Sequence, residues 1–348
     1  MRSKHAINVV GCHAEGEVGD VIVGGVRPPP GDTLWAQSRW LAQDGALRGL
    51  LLHEPRGGVH RHINLLVPPK DPRAAMGFLI MEPTYNPPMS GSNSICVSTV
   101  LLETGLIEMT EPTTKFMLEA PGGLVHVEAD CADGRATRIR VRNVASFAAA
   151  LDTTLEISGH QTLTADTAYG GDSFVIVDAD SLGLALEAHE ARDIVALGRK
   201  FTAAANAQLR FEHPEHPDWQ HISFCLFASS VQQREGVIHT RHACVIEPGK
   251  VDRSPTGTAV SARMACLHAR GRMRIGDTLR AHSIIDSVFE GRIHSETMCG
   301  KRIAIFPEIA GRAWLTGSHE YWLAPDDPFP RGYRISDTWP SPSSEDYA

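Results

Sequence analysis

The 348-residue sequence lacks the features that mark several large classes of protein. No apolar run is long enough to cross a bilayer, and the opening residues, MRSKHAINVVGCHAEGE, contain no signal-peptide core. The seven cysteines are scattered, odd in number and never spaced as CxxC. This pattern indicates reduced thiols and neither a disulfide framework nor a zinc site, so we expect a cytoplasmic protein without a membrane partner.

The sequence also lacks an excess of positive charge, with 33 Lys and Arg against 41 Asp and Glu. A net charge of −8 argues against a nucleic-acid-binding surface, because such domains carry a basic face. No G-x-G-x-x-G follows Gly170-Gly171, so the chain offers no dinucleotide fingerprint. Four candidate metal ligands share one short segment: His213, His216, Asp218 and His221. Because prolines interrupt this segment, it predicts a solvated loop, and we expect neither a metal nor a cofactor.

Helical periodicity is present in two long segments. Residues 33–52 predict one helix, with Asp32 as the N-cap and Gly45 weakening its middle. Residues 189–210 predict another. The length of the chain favours two domains.

Short strand-like runs outnumber the helices. Residues 284–288 are one predicted strand, and the alternation in His60-Arg61-His62 predicts a solvent-exposed strand edge. Many of these runs look antiparallel. They favour an α+β fold over a doubly wound parallel sheet.

One motif occurs twice, about half the chain apart. Ser90-Gly91-Ser92-Asn93 opens an apolar run that ends at Gly105. Thr256-Gly257-Thr258-Ala259 opens a second run that ends at Gly271. Each motif follows a proline-containing segment and leads into a nearly uncharged, helix-like stretch.

The repeated motif predicts two buried helices whose N-termini line a polar pocket. A helix that is apolar all round must be buried, and its N-terminus presents unpaired N–H groups and a positive dipole end. Glycine in the second position lets a ligand approach the backbone. Two such motifs predict a dry pocket that suits a carboxylate, with Ser90 and Thr256 on opposite sides. The simpler alternative is two ordinary helices capped by Ser or Thr.

The two motifs resemble the signature turns of the proline racemase superfamily, Met-Cys-Gly-His and Asp-Arg-Ser-Pro-Cys-Gly-Thr. The corresponding residues here are Met89-Ser90-Gly91-Ser92 and Asp252-Arg253-Ser254-Pro255-Thr256-Gly257-Thr258. Three more stretches match the family: His13-Ala14-Glu15-Gly16-Glu17, Glu54-Pro55-Arg56-Gly57 and Asp326-Asp327-Pro328-Phe329. The resemblance spans nearly the whole chain.

The resemblance implies a fold similar to diaminopimelate epimerase. Such a fold has two similar domains, each with a sheet wrapped round a central helix, and an active site in the interdomain cleft. By this analogy, residues 1–150 and 325–348 form the first domain and residues 151–324 form the second. A homodimer is the family-level expectation.

Two departures from the family pattern carry the functional inference. In the racemases, two cysteines exchange the α-proton on opposite faces of proline, whereas Ser90 and Thr256 stand at those positions here. Threonine at the second position resembles the trans-3-hydroxy-L-proline dehydratase branch, and the 4-hydroxyproline epimerases keep cysteine there. We therefore expect a cofactor-independent hydro-lyase that forms Δ1-pyrroline-2-carboxylate.

Stereochemistry favours the same reaction. In trans-3-hydroxy-L-proline the 3-hydroxyl lies on the same face of the ring as the α-hydrogen. One acid/base group on that face could remove the α-proton and then protonate the departing hydroxide, whereas a racemase needs a competent group on each face.

The resemblance also implies the residues of the site. Ser90 is the expected acid/base and Thr256 the residue facing it. The substrate carboxylate is expected to contact the two turns: Gly91, Ser92, Asn93, Ser94, Ile95, Gly257 and Thr258. Asp252 is expected to accept a hydrogen bond from the ring nitrogen, and His221 to contact the substrate.

Two alternatives stay open. The first is a 4-hydroxyproline 2-epimerase or a related proline-analogue racemase that uses hydroxyls on both faces. The second is a non-catalytic binder of proline-like acids, since cysteine is absent from both signature turns.

Overall fold

The computed structural model describes residues 6–157 and 162–340. The chain divides into two compact units. Unit 1 consists of Met1–Arg140 and Arg312–Ala348, and unit 2 consists of Val141–Gly311. Both divisions fall earlier in the chain than the expected boundaries at 150 and 325.

The helices and strands are numbered in chain order. Unit 1 begins with β1 (Ala6–Ala14), β2 (Glu17–Gly24), α1 (Leu34–Asp44), α2 (Ala46–Leu52), β3 (Arg61–Val67), β4 (Met76–Met81), α3 (Gly91–Glu103), β5 (Thr113–Ala120), β6 (Gly123–Ala132) and β7 (Arg135–Arg142). The next elements are β8 (Phe147–Leu155), β9 (Leu163–Tyr169), β10 (Ser173–Asp178), α4 (Ala191–Gln208), β11 (Phe224–Ala228), β12 (Gln232–Arg234), β13 (Val237–Ile246), β14 (Lys250–Val251), α5 (Gly257–Ala269), β15 (Thr278–His282), β16 (Val288–Cys299) and β17 (Arg302–Gly311). The last strand, β18 (Ala313–Trp322), belongs to unit 1.

The two units share one pattern of strand pairing. In unit 1 the order is β18–β1–β2–β3–β4–β5–β6, antiparallel except for the parallel pairs β2/β3 and β4/β5. In unit 2 the order is β8–β9–β10–β11–β13–β15–β16–β17, antiparallel except for β10/β11 and β13/β15. Since the parallel pairs fall at the same places, unit 2 repeats the topology of unit 1.

A buried helix occupies the same place in each repeat. All residues of α3 from Gly91 to Leu102 are buried, and the helix packs on β1, β2, β3 and β18. Helix α5 is buried over most of its length and packs on β8, β9, β10, β16 and β17. The prediction of two buried helices is confirmed.

Two local predictions are wrong in detail. The helix expected over 33–52 breaks at Gly45, whose φ of 63° ends α1, and its N-cap is Thr33 in place of Asp32. The Thr33 hydroxyl accepts from the Ala36 N–H at 3.1 Å. The strand expected at 284–288 is mostly a turn, because Asp286 has a φ of 62° that no strand accommodates.

The remaining long helix agrees better with its prediction. Helix α4 covers Ala191–Gln208 within the expected 189–210, and its buried residues recur at helical spacing: Ile194, Gly198, Phe201 and Ala205. Within the described residues, no helix has the length and apolar character needed to cross a membrane.

Candidate active site

Ser90 is the N-cap of the buried helix α3. Its φ and ψ of −149° and 125° are extended, and its Oγ accepts from the backbone N–H of Asn93 at 3.4 Å. The Asn93 side chain donates to the same oxygen at 2.9 Å. The Ser92 hydroxyl lies 3.3 Å away. Ser90 Oγ thus accepts two hydrogen bonds from Asn93, and either hydroxyl can be the donor in its contact with Ser92.

The Asn93 carboxamide is held in one orientation. Asn64 Nδ2 donates to Asn93 Oδ1 at 2.8 Å, so the NH2 end of Asn93 faces Ser90. Both asparagines are fully buried. Gly19 on β2 lets the sheet come this close, because a Cβ there would lie 2.9 Å from Asn93 Oδ1.

Three buried ionisable residues that the sequence did not single out lie close together beyond Asn93: His62, which contacts Asn93, and Glu17 and Glu82, which contact His62. The expectation that His60-Arg61-His62 forms an exposed edge is wrong for His62, which is 1% exposed. Strand β3 is an interior strand between β2 and β4, so both of its edges are paired and it is not an edge strand. The motif His13-Ala14-Glu15-Gly16-Glu17 is the signal that could have drawn attention to Glu17.

Thr256 stands at the N-terminus of α5 in a different environment. Its Oγ1 donates to Asp252 Oδ2 at 2.8 Å. The other oxygen of Asp252 accepts from the backbone N–H and the hydroxyl of Ser254, at 2.8 and 2.9 Å. Burial, together with the Asp252 carboxylate, raises the pKa of the nearby Cys244 thiol well above its usual value. Cys244 is therefore a neutral thiol, not a nucleophile.

The backbone of Thr256 is strained. Its φ of 61° and ψ of 99° are unusual for any residue with a Cβ and more so for a β-branched one. Such strain costs of order 1–3 kcal/mol and persists where the surroundings impose it, commonly at functional sites. Asp252 and Ser254 supply those constraints here.

The two hydroxyls therefore differ in kind. Ser90 Oγ accepts hydrogen bonds from N–H groups, which stabilise negative charge on oxygen. Thr256 Oγ1 gives its proton to a carboxylate, which disfavours negative charge on that oxygen.

The first turns of both helices retain N–H groups for a ligand. In α3, the N–H groups of Asn93 and Ser94 are engaged by the side chain and carbonyl of Ser90. Those of Gly91 and Ser92 precede the first intrahelical bond. In α5, that bond runs from Val260 to Thr256, so Gly257 and Thr258 also lie in the turn whose N–H groups lack an intrahelical acceptor.

The remaining members of the expected carboxylate site are less available. The Ser94 hydroxyl donates to the Ser90 carbonyl at 2.7 Å. The Ile95 side chain is fully buried. These contacts favour a structural role for both side chains.

His221 lies on the loop before β11. Its ring is exposed and stacks on Trp219 with centroids 4.8 Å apart. The solvated loop predicted for residues 213–221 is wrong for His213, which is buried edge-on against Tyr169. Burial lowers the pKa of His213 to about 4. Among the described residues, no group of His, Cys, Asp or Glu is arranged to hold a metal ion.

Two of the matched stretches meet in unit 1. Arg56 Nη1 lies 2.7 Å from Asp327 Oδ2, and the same guanidinium donates to the Phe329 carbonyl. These contacts hold the segment around residues 327–329 against the loop that follows α2.

Comparison with known proteins agrees with these motifs. The family model described as proline racemase matches residues 9–334. A hydroxyproline epimerase from Agrobacterium vitis, solved with trans-4-hydroxy-L-proline bound, is 39% identical with a TM-score of 0.91, covering 97% of this chain and 98% of that chain. A probable proline racemase from Agrobacterium radiobacter K84, solved with bound carbonate, is 38% identical with a TM-score of 0.90, covering 96% and 98%.

A more distant likeness shows the fold alone. A PhzF-family phenazine biosynthesis protein from Bacillus anthracis has a TM-score of 0.57 at 14% identity, covering 91% of this chain and 99% of that chain. The two similar proteins above are named as isomerases, which favours the epimerase alternative over the hydro-lyase expectation. With the family model matching almost the full length and the signature turns at the tips of two buried helices, the chain belongs to the proline racemase family.

Proposed function

We propose that this protein removes the α-proton of a hydroxyproline and that its reaction is the dehydration of trans-3-hydroxy-L-proline. The observation that carries the proposal is the contrast between the two hydroxyls. Ser90 Oγ accepts N–H donors, whereas Thr256 Oγ1 donates to Asp252. The hydroxyproline bound by the Agrobacterium vitis relative supports the substrate class.

In the proposed reaction Ser90 acts on one face of the ring. Its alkoxide takes the α-proton, and the electron pair of the broken C–H bond forms the C2–C3 double bond as the C3–O bond breaks. The resulting Ser90 hydroxyl gives the same proton to the departing hydroxide. Water and an enamine are formed, the alkoxide is regenerated, and the enamine tautomerises to Δ1-pyrroline-2-carboxylate.

The surroundings of Ser90 suit this role. A serine hydroxyl is a weak base unless its anion is stabilised. The side-chain and backbone N–H groups of Asn93 and the N-terminus of α3 supply that stabilisation in a buried setting.

The remaining polar residues are assigned to binding the carboxylate and the ring nitrogen of the substrate. The carboxylate is bound by the N–H groups of Gly91, Ser92, Gly257 and Thr258. The ring nitrogen donates to Asp252, whose carboxylate also fixes Thr256. Thr256 then contacts the second face of the substrate ring without exchanging a proton there. His221 is proposed to contact the substrate, and this assignment rests on the family resemblance alone.

A second candidate is a 4-hydroxyproline 2-epimerase. The names of both similar structures favour it. The Thr256–Asp252 pair gives it a physical route, because the carboxylate could act as the base behind the threonine hydroxyl.

Incubation in D2O with each substrate separates the candidates. Dehydration predicts a pyrroline, detected by reaction with an aminobenzaldehyde, from trans-3-hydroxy-L-proline, and no epimer from trans-4-hydroxy-L-proline. Epimerisation predicts the C2 epimer of the 4-hydroxy acid carrying deuterium at C2, and its appearance as the main activity would overturn the proposal. Binding of pyrrole-2-carboxylate without turnover of either acid would also overturn it and identify a binding protein.

A further inference from the structure

A cluster of ionisable side chains lies beyond Asn93 in the interior of unit 1. We call Glu17, His62 and Glu82 the buried triad, since each is at most 5% exposed. His62 Nε2 lies 3.3 Å from Glu17 Oε1, and His62 Nδ1 lies 3.6 Å from Glu82 Oε1. Burying ionisable groups costs several kcal/mol each unless partners compensate, so this cluster needs a physical reason.

The buried triad is connected to Ser90, the proposed acid/base, through Asn93. Asn64 fixes the oxygen end of the Asn93 carboxamide at 2.8 Å, which directs both hydrogens of Nδ2 the other way. One hydrogen is donated to Ser90 Oγ at 2.9 Å. Nδ2 also lies 3.4 Å from His62 Nδ1, where the second hydrogen finds an acceptor.

This arrangement selects one tautomer of His62. A ring nitrogen accepts a hydrogen bond only when it carries no proton, so the proton of neutral His62 must sit on Nε2. Nε2 lies 3.3 Å from Glu17 Oε1, an electrostatic contact that is not aligned as a hydrogen bond. The negative charge of Glu17 at this distance favours a proton on Nε2, which is the tautomer that can accept from Asn93.

Glu82, Asp20 and Cys96 are the other ionisable groups near His62 and Glu17. Glu82 is 3.6 Å from His62 Nδ1, beyond hydrogen-bond distance, and the Arg48 guanidinium on α2 is its cationic neighbour. Near Glu17, Asp20 is ion-paired with Arg61. Burial raises the pKa of the Cys96 thiol on α3 well above its usual value, so it stays neutral. Glu17 is left as the carboxylate that faces His62 Nε2.

We infer that His62, oriented by Glu17, is a positioning residue for Ser90. The chain from Glu17 through His62 to Asn93 keeps an N–H pointed at Ser90 Oγ, so that this oxygen is held as an acceptor able to bear negative charge. The inference deepens the proposed function and rests on Ser90 being its acid/base.

The first test is spectroscopic and needs no substrate. Nitrogen-15 NMR of histidine-labelled protein at neutral pH, with the His62 signals assigned by their loss in His62→Gln, reports which ring nitrogen is protonated. We expect Nε2–H with an unprotonated Nδ1. In Glu17→Gln the new amide can donate to Nε2, and we expect the Nδ1–H tautomer to appear. A wild-type Nδ1–H tautomer or an imidazolium would overturn the inference.

The second test is kinetic and uses paired substitutions. His62→Asn places an amide oxygen near the position of Nδ1, whereas His62→Gln places its amide near Nε2. If the acceptor for Asn93 matters, His62→Asn retains more kcat than His62→Gln. We expect Glu17→Gln and His62→Gln to lower kcat by about 10²-fold, the size typical of misplaced catalytic groups, with KM within a few-fold of wild type.

Glu103→Gln is the matched control. Glu103 lies at the far end of α3, its side chain is 5% exposed, and it pairs with Arg135 at 2.9 Å. We expect it to lower thermal stability while leaving kcat unchanged. If the triad variants behave like this control, losing thermal stability while keeping wild-type kcat, the positioning role is wrong.

Failure of the proposed function gives a different result. A wild-type protein that turns over no hydroxyproline would refute the dehydration, while the tautomer measurement would still decide whether Glu17 orients His62. Wild-type turnover that is unaffected by Glu17→Gln would refute the positioning role and leave the dehydration standing.

Discussion

At the scale of single residues, two hydroxyls in similar sequence motifs have opposite hydrogen-bonding roles. Ser90 Oγ is an acceptor for Asn93, and Thr256 Oγ1 is a donor to Asp252. The motifs predict where the hydroxyls lie along the chain. The acceptor role of Ser90 could not be predicted, because it depends on Asn64 and His62, which come from a strand of unexceptional sequence.

The role of Thr256 can be tested with a substitution that keeps its shape. Thr256→Val removes the hydrogen bond to Asp252 and retains the β-branch at the strained φ. Loss of a hydrogen bond to a buried charge costs about 1.5–3 kcal/mol, so we expect the free energy of unfolding to fall by that amount. Dehydration should fall less than about tenfold, because the proposal gives Thr256 no proton to transfer.

Thr256→Ser serves as the control for that substitution. It keeps the hydroxyl, and we expect its denaturant unfolding curve and kcat to stay close to wild type. Complete loss of dehydration in Thr256→Val would show instead that the second hydroxyl takes part in proton transfer.

The buried imidazole of His242 predicts an acid-labile fold. Burial, and secondarily the Arg263 guanidinium, lower the pKa of His242 from 6.5 to about 3. Between these values the unfolded chain binds a proton that the folded protein does not, so the stabilising contribution is present above pH 6.5 and is lost as the pH falls. In this range the free energy of unfolding falls by up to about 1.4 kcal/mol for each pH unit.

Urea titrations between pH 7 and pH 4 measure this slope. We expect His242→Gln to flatten the decline in the free energy of unfolding, while His319→Gln, at an exposed position, leaves it unchanged. Parallel declines in wild type and His242→Gln would contradict the assignment.

At the scale of elements, the sequence predicts long periodic segments better than their ends. The two buried helices follow from nearly uncharged runs behind a capping residue, and both are present. The sequence marks Gly45 as a weak point of the first helix, but the complete break there and the turn at 284–287 depend on positive φ values that composition alone does not require. The burial of His62 was missed because an alternating strand looks the same whether its polar face meets solvent or a polar interior.

Helix α3 offers a stability prediction of its own. Among the described residues, no hydrogen-bond partner reaches Thr99 Oγ1, although Thr99 is fully buried. A buried polar atom without a partner is destabilising, so we expect Thr99→Val to raise the free energy of unfolding by about 1 kcal/mol.

Ser98→Ala is the contrasting substitution on the same helix. The Ser98 hydroxyl donates to the Ser94 carbonyl at 2.7 Å, so its removal should lower stability. Calorimetry on both variants measures whether each substitution raises or lowers the free energy of unfolding. A destabilised Thr99→Val variant would mean that its hydroxyl has a partner in solution.

At the scale of the whole molecule, the chain is a structural repeat in which the last strand belongs to the first unit. The repeated Ser-Gly and Thr-Gly turns predict the repeat, since each heads the equivalent helix. The pairing of Arg56 with Asp327 could not be predicted from spacing, because the two residues are 271 positions apart. Only their shared membership of family motifs indicated that both matter.

That pairing should contribute to global stability. The two side chains are 12% and 22% exposed, so the ion pair is shielded from solvent more than a surface pair. In a double-mutant cycle of Arg56→Gln and Asp327→Asn, we expect a coupling energy of about 1 kcal/mol, measured by denaturant unfolding. Strictly additive effects would show that the C-terminal segment is held by other contacts.

A proton NMR time course of trans-3-hydroxy-L-proline in D2O with wild type, Ser90→Ala and Ser98→Ala tests whether Ser90 is the acid/base of a dehydration. We predict that wild type and Ser98→Ala form the pyrroline, and that Ser90→Ala forms it at least about 10²-fold more slowly while remaining folded. Near-normal dehydration by Ser90→Ala, or a deuterated C2 epimer as the wild-type product, would contradict the account.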